Sequence, residues 1–274
     1  MPAEVVENKL DLTQKEIKEA ERRSAVSALV VHEAIRREGE QELRRSSSAL
    51  FWSGLAAGLS MGFSLIAEGL LRASLPDAPW RPMVTKLGYS YGFLLVVLGR
   101  QQLFTENTLT PILPVMLHRN RAVLHSALRL WVVVLISNLA GAWAIAWVLG
   151  NTGVFSPAVR KAFAEIGHES LSVSFGLALL RGIFAGWLIA FMVWLLPFAE
   201  AFRVVVIVAL TWLVGVAHLT HIIAGSVETL YLAGVGEATY GQVATGYMLP
   251  TLIGNIIGGV ALVAALNHAQ VVSK

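Results

Sequence analysis

Apolar residues run along this chain in six long blocks set apart by short polar stretches, over about 48–71, 84–117, 124–149, 171–196, 204–232 and 248–266. A helix that crosses roughly 30 Å of hydrocarbon needs about 20 mostly apolar residues, and each block is of that order or longer. Strands of a membrane barrel would alternate apolar and polar over about ten residues per pass, and these blocks do not. The pattern predicts an all-α membrane protein of six transmembrane helices. Two of the blocks are interrupted by polar groups, at LFTEN (103–107) and at HLTH (218–221). Unwound backbone at membrane depth persists only where it lines a cavity or is buried in protein, so paired breaks mark a path through the bilayer. That pattern favours a channel or transporter over an enzyme.

The polar remainder changes the picture at the N-terminus. Residues 12–45 mix both signs at helical spacing, with Glu16 and Glu19 beside Lys15, Lys18, Arg22 and Arg23, and an apolar patch at 25–31. This reads as one or two surface helices, resting on the membrane face or serving as a gate or docking surface. The expected division is residues 1–46 as this segment, 47–268 as a six-span domain and 269–274 as a short tail. No cleavable leader is expected, because the first apolar block is long enough to stay in the membrane.

The chain is 55% hydrophobic and only 14% charged, with a net charge of +3, and it has no cysteine, which removes disulfides and thiolate metal sites. Six spans would put fourteen Lys and Arg on the side of the termini against five on the other, with Arg100 and Arg181 inside spans. The positive-inside rule then places both termini in the cytoplasm. No cofactor and no nucleic-acid partner is expected.

The two halves of the chain correspond. Gly54, Gly58 and Gly62 in the first block are matched by Gly182 and Gly186 in the fourth, at the same four-residue spacing, which lets helices approach closely. NLAGA (138–142) in the third block matches NIIGG (255–259) in the sixth, and Asn138 and Asn255 could each hydrogen-bond across a helix contact. A shift of 117 residues superposes these motifs and lays Phe104 on His221. With three spans per half, the repeats would run in opposite directions.

LFTEN followed by TLTP, THIIAG around the second break, and LPTLIGNIIGG (249–259) resemble the formate/nitrite transporter family, over roughly residues 46–267. The resemblance is closest to a divergent bacterial inner-membrane branch carrying RQQLFTENT and GSVE. It implies an aquaporin-like inverted repeat with spans two and five broken, a homopentamer in membrane lipid with a separate pore in each protomer, and passage of small monovalent anions or their conjugate acids. His221 matches the family's central pore histidine, and Thr105 matches its threonine on the span-two loop. Leu103 and Phe104 would form an apolar collar there, and Phe93 and Tyr89 an outer constriction or simple packing.

An anion loses much of its hydration in an apolar constriction, whereas its neutral acid crosses cheaply. An imidazole at the waist could supply the proton, although a histidine between helices can equally be structural. The departures from the family pattern are also specific. Thr220 stands for the acidic residue before the histidine, Gly225 for an asparagine after it, Gly186 for one in span four, and Val214 for a phenylalanine that narrows the neck. Ser170 stands for the lysine near span four, with His168 the nearest basic group. The chain adds Arg100, Glu106, Arg181, His218 and Glu228 at depth, read as a buried ion-pair clamp around the breaks or as a proton relay with His221. Glu68 reads as a snorkelling or interhelical group. His218 and His221 lack the further ligands that a metal site needs.

Overall fold

The structure, a computed structural model, describes residues 13–14 and 27–272 and contains no strand among them. The first part of the N-terminal segment, including Glu16, Glu19 and the basic residues near them, lies outside the described residues. The segment becomes helix α1 at Ala28–Leu43. Its turns are laced by ion pairs from Glu33 to Arg36 (2.7 Å) and Arg37 (2.7 Å), and from Arg36 to Glu40.

Among the described residues, four helices are long and apolar enough to cross a membrane. They are α2 (Ser47–Ser74), α6 (Arg121–Asn151), α8 (Phe175–Leu195) and α11 (Tyr240–Val271). Three of them begin on a polar side-chain cap. Ser46 Oγ accepts from Ala49 N to start α2, Asn120 Oδ1 accepts from Ala122 N to start α6, and Thr239 with Gln242 forms a capping box for α11. Between them lie α3 (Arg81–Thr85), α4 (Ser90–Leu98), α5 (Ile112–His118), α7 (Pro157–Leu171), α9 (Arg203–Val216) and α10 (Ile222–Gly234). The second apolar block is thus α4, a break over 99–111 and α5; the fifth is α9, a break over 217–221 and α10.

Helix α11 is π-helical over Val243–Met248 and again over Ile257–Ala265. Pro250 has no N–H to close an ordinary turn, and a widened turn just before it relieves the clash with the preceding carbonyls. The long helices pack closely because glycines face backbone. A Cβ on Gly58 would collide with the carbonyl oxygen of Asn138, and one on Gly186 with that of Asn255. Large apolar side chains point outward along α2, α6 and α8, among them Trp52, Phe63, Val132, Ile136, Trp147 and Phe184. A belt of this kind suits lipid or a neighbouring copy.

Helix α1 lies across one end of the bundle. Ile35 is fully buried with Leu109 and Leu113, next to the first break, and Arg129 Nη2 donates to the carbonyls of Leu43 (3.0 Å) and Arg45 (2.9 Å), closing the C-terminus of α1.

Candidate functional site

The two breaks are built the same way. Helix α4 ends on Arg100 with φ 53° and α9 on His218 with φ 51°, both in the left-handed conformation that terminates helices. Gln101 N returns to Val96 O (2.9 Å) and Leu219 N to Val214 O (3.0 Å), closing each end with the same bond.

One asparagine staples each loop. Asn138 Oδ1 accepts from Phe104 N (2.9 Å) while its Nδ2 donates to Gly54 O (2.8 Å) and Gln102 O (2.9 Å). Asn255 Oδ1 accepts from Ile222 N (2.9 Å) while its Nδ2 donates to Gly182 O (2.8 Å) and Thr220 O (2.9 Å). Both amides are therefore committed to backbone. The bonds also correct the register read from the motifs by one residue. At the breaks Phe104 corresponds to Ile222, and His221 to Leu103, because the connection from break to asparagine is one residue longer in the first half.

At the meeting of the loops, His221 Nε2 lies 2.7 Å from Thr105 Oγ1, and both residues are fully buried. His221 is the N-cap of α10, and its Nδ1 accepts from Ile223 N (3.3 Å) and Ala224 N (3.2 Å). With Nδ1 an acceptor, the ring proton of the neutral imidazole sits on Nε2 and is donated to Thr105, whose own hydroxyl hydrogen is left for another acceptor. Phe93 stands edge-on to the imidazole at 4.9 Å, and Tyr89 packs on Phe93 at 5.5 Å. Leu103 and Val214 are fully buried in the same apolar cluster, and Phe104 stacks edge-on to Trp131. Tyr247 Oη donates to His221 O (3.2 Å) and occupies the space over Gly225. Thr220 Oγ1 donates to Ala178 O (2.7 Å).

The added charges divide between the two ends instead of forming one clamp. Arg100 is largely exposed and pairs with Glu38 of α1 at 3.1 Å, so the ion pair expected with Glu106 is not made. Glu106 keeps a buried Oε1 with no hydrogen-bond partner. Arg181, His218 and Glu228 line a cavity at the opposite end, with Lys86, Ser170 and Glu169. There Ser170 Oγ donates to Glu228 Oε2 at 2.5 Å, and Lys86 Nζ pairs with Glu68 at 2.5 Å. Of the two readings of Glu68, the structure fits the interhelical one, as a buried ion-pair partner. His218 is exposed and His221 enclosed, so the two do not share a helix face as metal ligands would.

The pairing of Lys86 with Glu68 and the part played by Tyr247 escape sequence reasoning. A carboxylate deep in an apolar block is the usable signal for the pairing, since such a group demands a partner. Nothing in the sequence points to Tyr247.

The formate/nitrite transporter family model matches residues 29–269. The chain belongs to this family. Inner membrane protein YfdC of Escherichia coli (strain K12) is 42% identical over 257 residues, covering 94% of this chain and 83% of that protein. The formate channel BtFdhC of Bacillus thuringiensis is 28% identical over 82% of this chain and 88% of its own. Among solved structures, a pentameric formate channel with formate bound superposes with a TM-score of 0.69 at 19% identity, covering 82% of this chain and 97% of that one. An FNT family ion channel gives 0.71 at 16% identity, covering 88% and 98%. Members of the formate/nitrite transporter family are membrane channels and transporters, not enzymes.

Proposed function

We propose that this protein is a bacterial inner-membrane channel or proton-coupled transporter for small monovalent anions of the formate and nitrite kind, with one pore in each protomer of a homopentamer. The observation that carries the reading is the buried Thr105–His221 bond at the meeting of two chain breaks, with the aromatic wall of Phe93 beside it. In this reading α2, α6, α8 and α11 are joined by two broken spans, α4 with α5 and α9 with α10, to give six spans in two inverted sets of three. The matching left-handed caps and asparagine staples support that arrangement. The charge tally supports cytoplasmic termini, and the printed names of the relatives support the inner membrane and the anion.

The chemistry follows from the geometry. A carboxylate reaching Thr105 meets a hydroxyl in an apolar enclosure; it takes a proton from the His221 imidazolium, formed when the neutral ring accepts one from the aqueous phase, and the transfer restores the neutral ring and removes the cost of carrying bare charge.

Flux in proteoliposomes across formate, nitrite, acetate, hydrosulfide and neutral solutes tests the proposal. Small anions should pass with a dependence on pH while larger carboxylates do not. Passage of neutral solutes alone favours the second reading, a channel for another small solute, to which Ser170 in place of a vestibule lysine gives some support. No flux of any solute leaves a membrane scaffold.

A further inference from the structure

We propose that Glu228 is a proton-exchange group of the cavity outside the Phe93 wall, protonating a weak-acid anion before it enters the constriction; this rests on the anion reading above. The cavity has a volume of about 30 Å³, lined in part by Lys86, Tyr89, Ser170, Arg181, His218 and Glu228. A water needs about 10–15 Å³ measured in this way, so there is room for about two waters or one small anion.

Glu228 differs from the other acids at this end. Its side chain is 5% exposed, and its partner is the neutral hydroxyl of Ser170. Glu68 is tied to Lys86 at 2.5 Å, and Glu169 to Arg72 at 2.6 Å. Protonating Glu68 would strand a buried ammonium; protonating Glu228 breaks no ion pair within 4 Å among the described residues. Charged or titratable groups reach this end from Glu68 and Arg72 of α2, Lys86 and Tyr89 before α4, Glu169 of α7, Arg181 of α8, His218 after α9 and Tyr247 of α11, while α6, which packs along α10, places none in the cavity wall. Lys86 and Arg181 concentrate an anion there, and a neutral carboxyl beside them can meet it without repulsion.

In the transfer, the O–H bond of the Glu228 carboxylic acid breaks as the O–H bond of the conjugate acid, formic acid for formate, forms. The resulting Glu228 carboxylate retakes a proton from hydronium in the aqueous phase that opens onto the cavity. The neutral acid then passes Tyr89 and Phe93 toward Thr105. His221 is left to hold or return the proton at the waist.

The test is formate flux into proteoliposomes as a function of external pH, with proton entry read by a trapped dye, for the wild type and Glu228→Gln. The Gln amide oxygen still accepts from Ser170. Flux should fall on the order of 100-fold, the lower end of what a positioned proton-transfer group contributes, and the external-pH profile should flatten. Glu228→Asp should restore part of the pH dependence. Ser170→Ala, which changes neither charge nor bulk at the wall, should move the profile's midpoint, and it reads the same mechanism if the Gln variant fails to assemble. Wild-type formate flux with unchanged profiles in Glu228→Gln and Ser170→Ala overturns this proposal alone. Absence of any anion flux in the wild type overturns it together with the anion reading.

Discussion

His221 Nε2 and Thr105 Oγ1 are 2.7 Å apart across a gap of 116 residues in the chain, and this one bond joins the two interruptions of otherwise apolar segments. The imidazole serves two structures at once, because its other nitrogen caps α10.

That double role shapes the first prediction. Asparagine is among the best N-cap residues and accepts the same backbone N–H groups. His221→Asn should therefore assemble normally while the pH dependence of anion flux attributable to the waist disappears. An unaltered pH profile in a well-folded variant would take the imidazole out of the mechanism.

The two asparagine staples should be energetically equivalent. Asn138→Ala and Asn255→Ala each leave one buried loop N–H and one loop carbonyl without their partner, at about 1–3 kcal/mol per group, while the carbonyls of Gly54 and Gly182 lie inside helices and keep a backbone bond. Thermal unfolding of the detergent-solubilised protein should show large and similar losses in both. A neutral effect in either one would mean that its loop is held by something else.

Glu106 gives an opposite expectation. A carboxylate held by a buried arginine would cost about 3–5 kcal/mol when neutralised, but Arg100 reaches Glu38 instead and Arg181 lines the far cavity. Glu106→Gln should therefore be neutral or stabilising, because it breaks no ion pair and removes charge from a buried atom that has no partner. A loss of several kcal/mol in thermal or denaturant unfolding would reinstate a clamp.

The contact between α1 and the end of α11 should respond to pH. His32 Nε2 lies 3.0 Å from His268 Nδ1, and His32 is enclosed with Trp194 at its edge. Burial first, then the nearness of His268, holds the His32 imidazole below its ordinary value of 6.5, with Glu33 opposing and Arg36 adding to the effect. The docked form binds its proton less readily than the undocked one, so docking is at full strength above about pH 6.5 and weakens as pH falls through that value. The protection of the α1 amides against hydrogen exchange, taken relative to the intrinsic rate at each pH, should fall between pH 7 and pH 5, and His32→Gln should flatten that response.

Sequence reading reached both breaks and the two residues that meet between them, because polar groups inside apolar blocks are conspicuous and the motifs around them resemble a family. It misplaced the charges. Arg100 and Glu106 are six apart in the chain and look like neighbours, yet the left-handed turn at Arg100 points its side chain at α1. It also set the internal register one residue off, since matching letters at Asn138 and Asn255 do not reveal an extra residue in the connection.

Hydrophobic patterning by itself determined the all-helical membrane class, the apolar blocks and the positions of the two breaks, because each of these depends only on what lies within one segment; the candidacy of His221 and Thr105 came from the resemblance that the surrounding motifs carry. The tertiary structure alone decided which groups become partners. Lys86 and Glu68 come from different elements, as do Ser170 and Glu228, and Tyr247 reaches His221 from the last helix. Such pairings depend on how tightly the helices approach, which is set by glycines against backbone at Gly58 and Gly186, and on the direction in which each broken end turns. Both are properties of packing in three dimensions, where a buried polar group takes whichever partner the fold brings within reach.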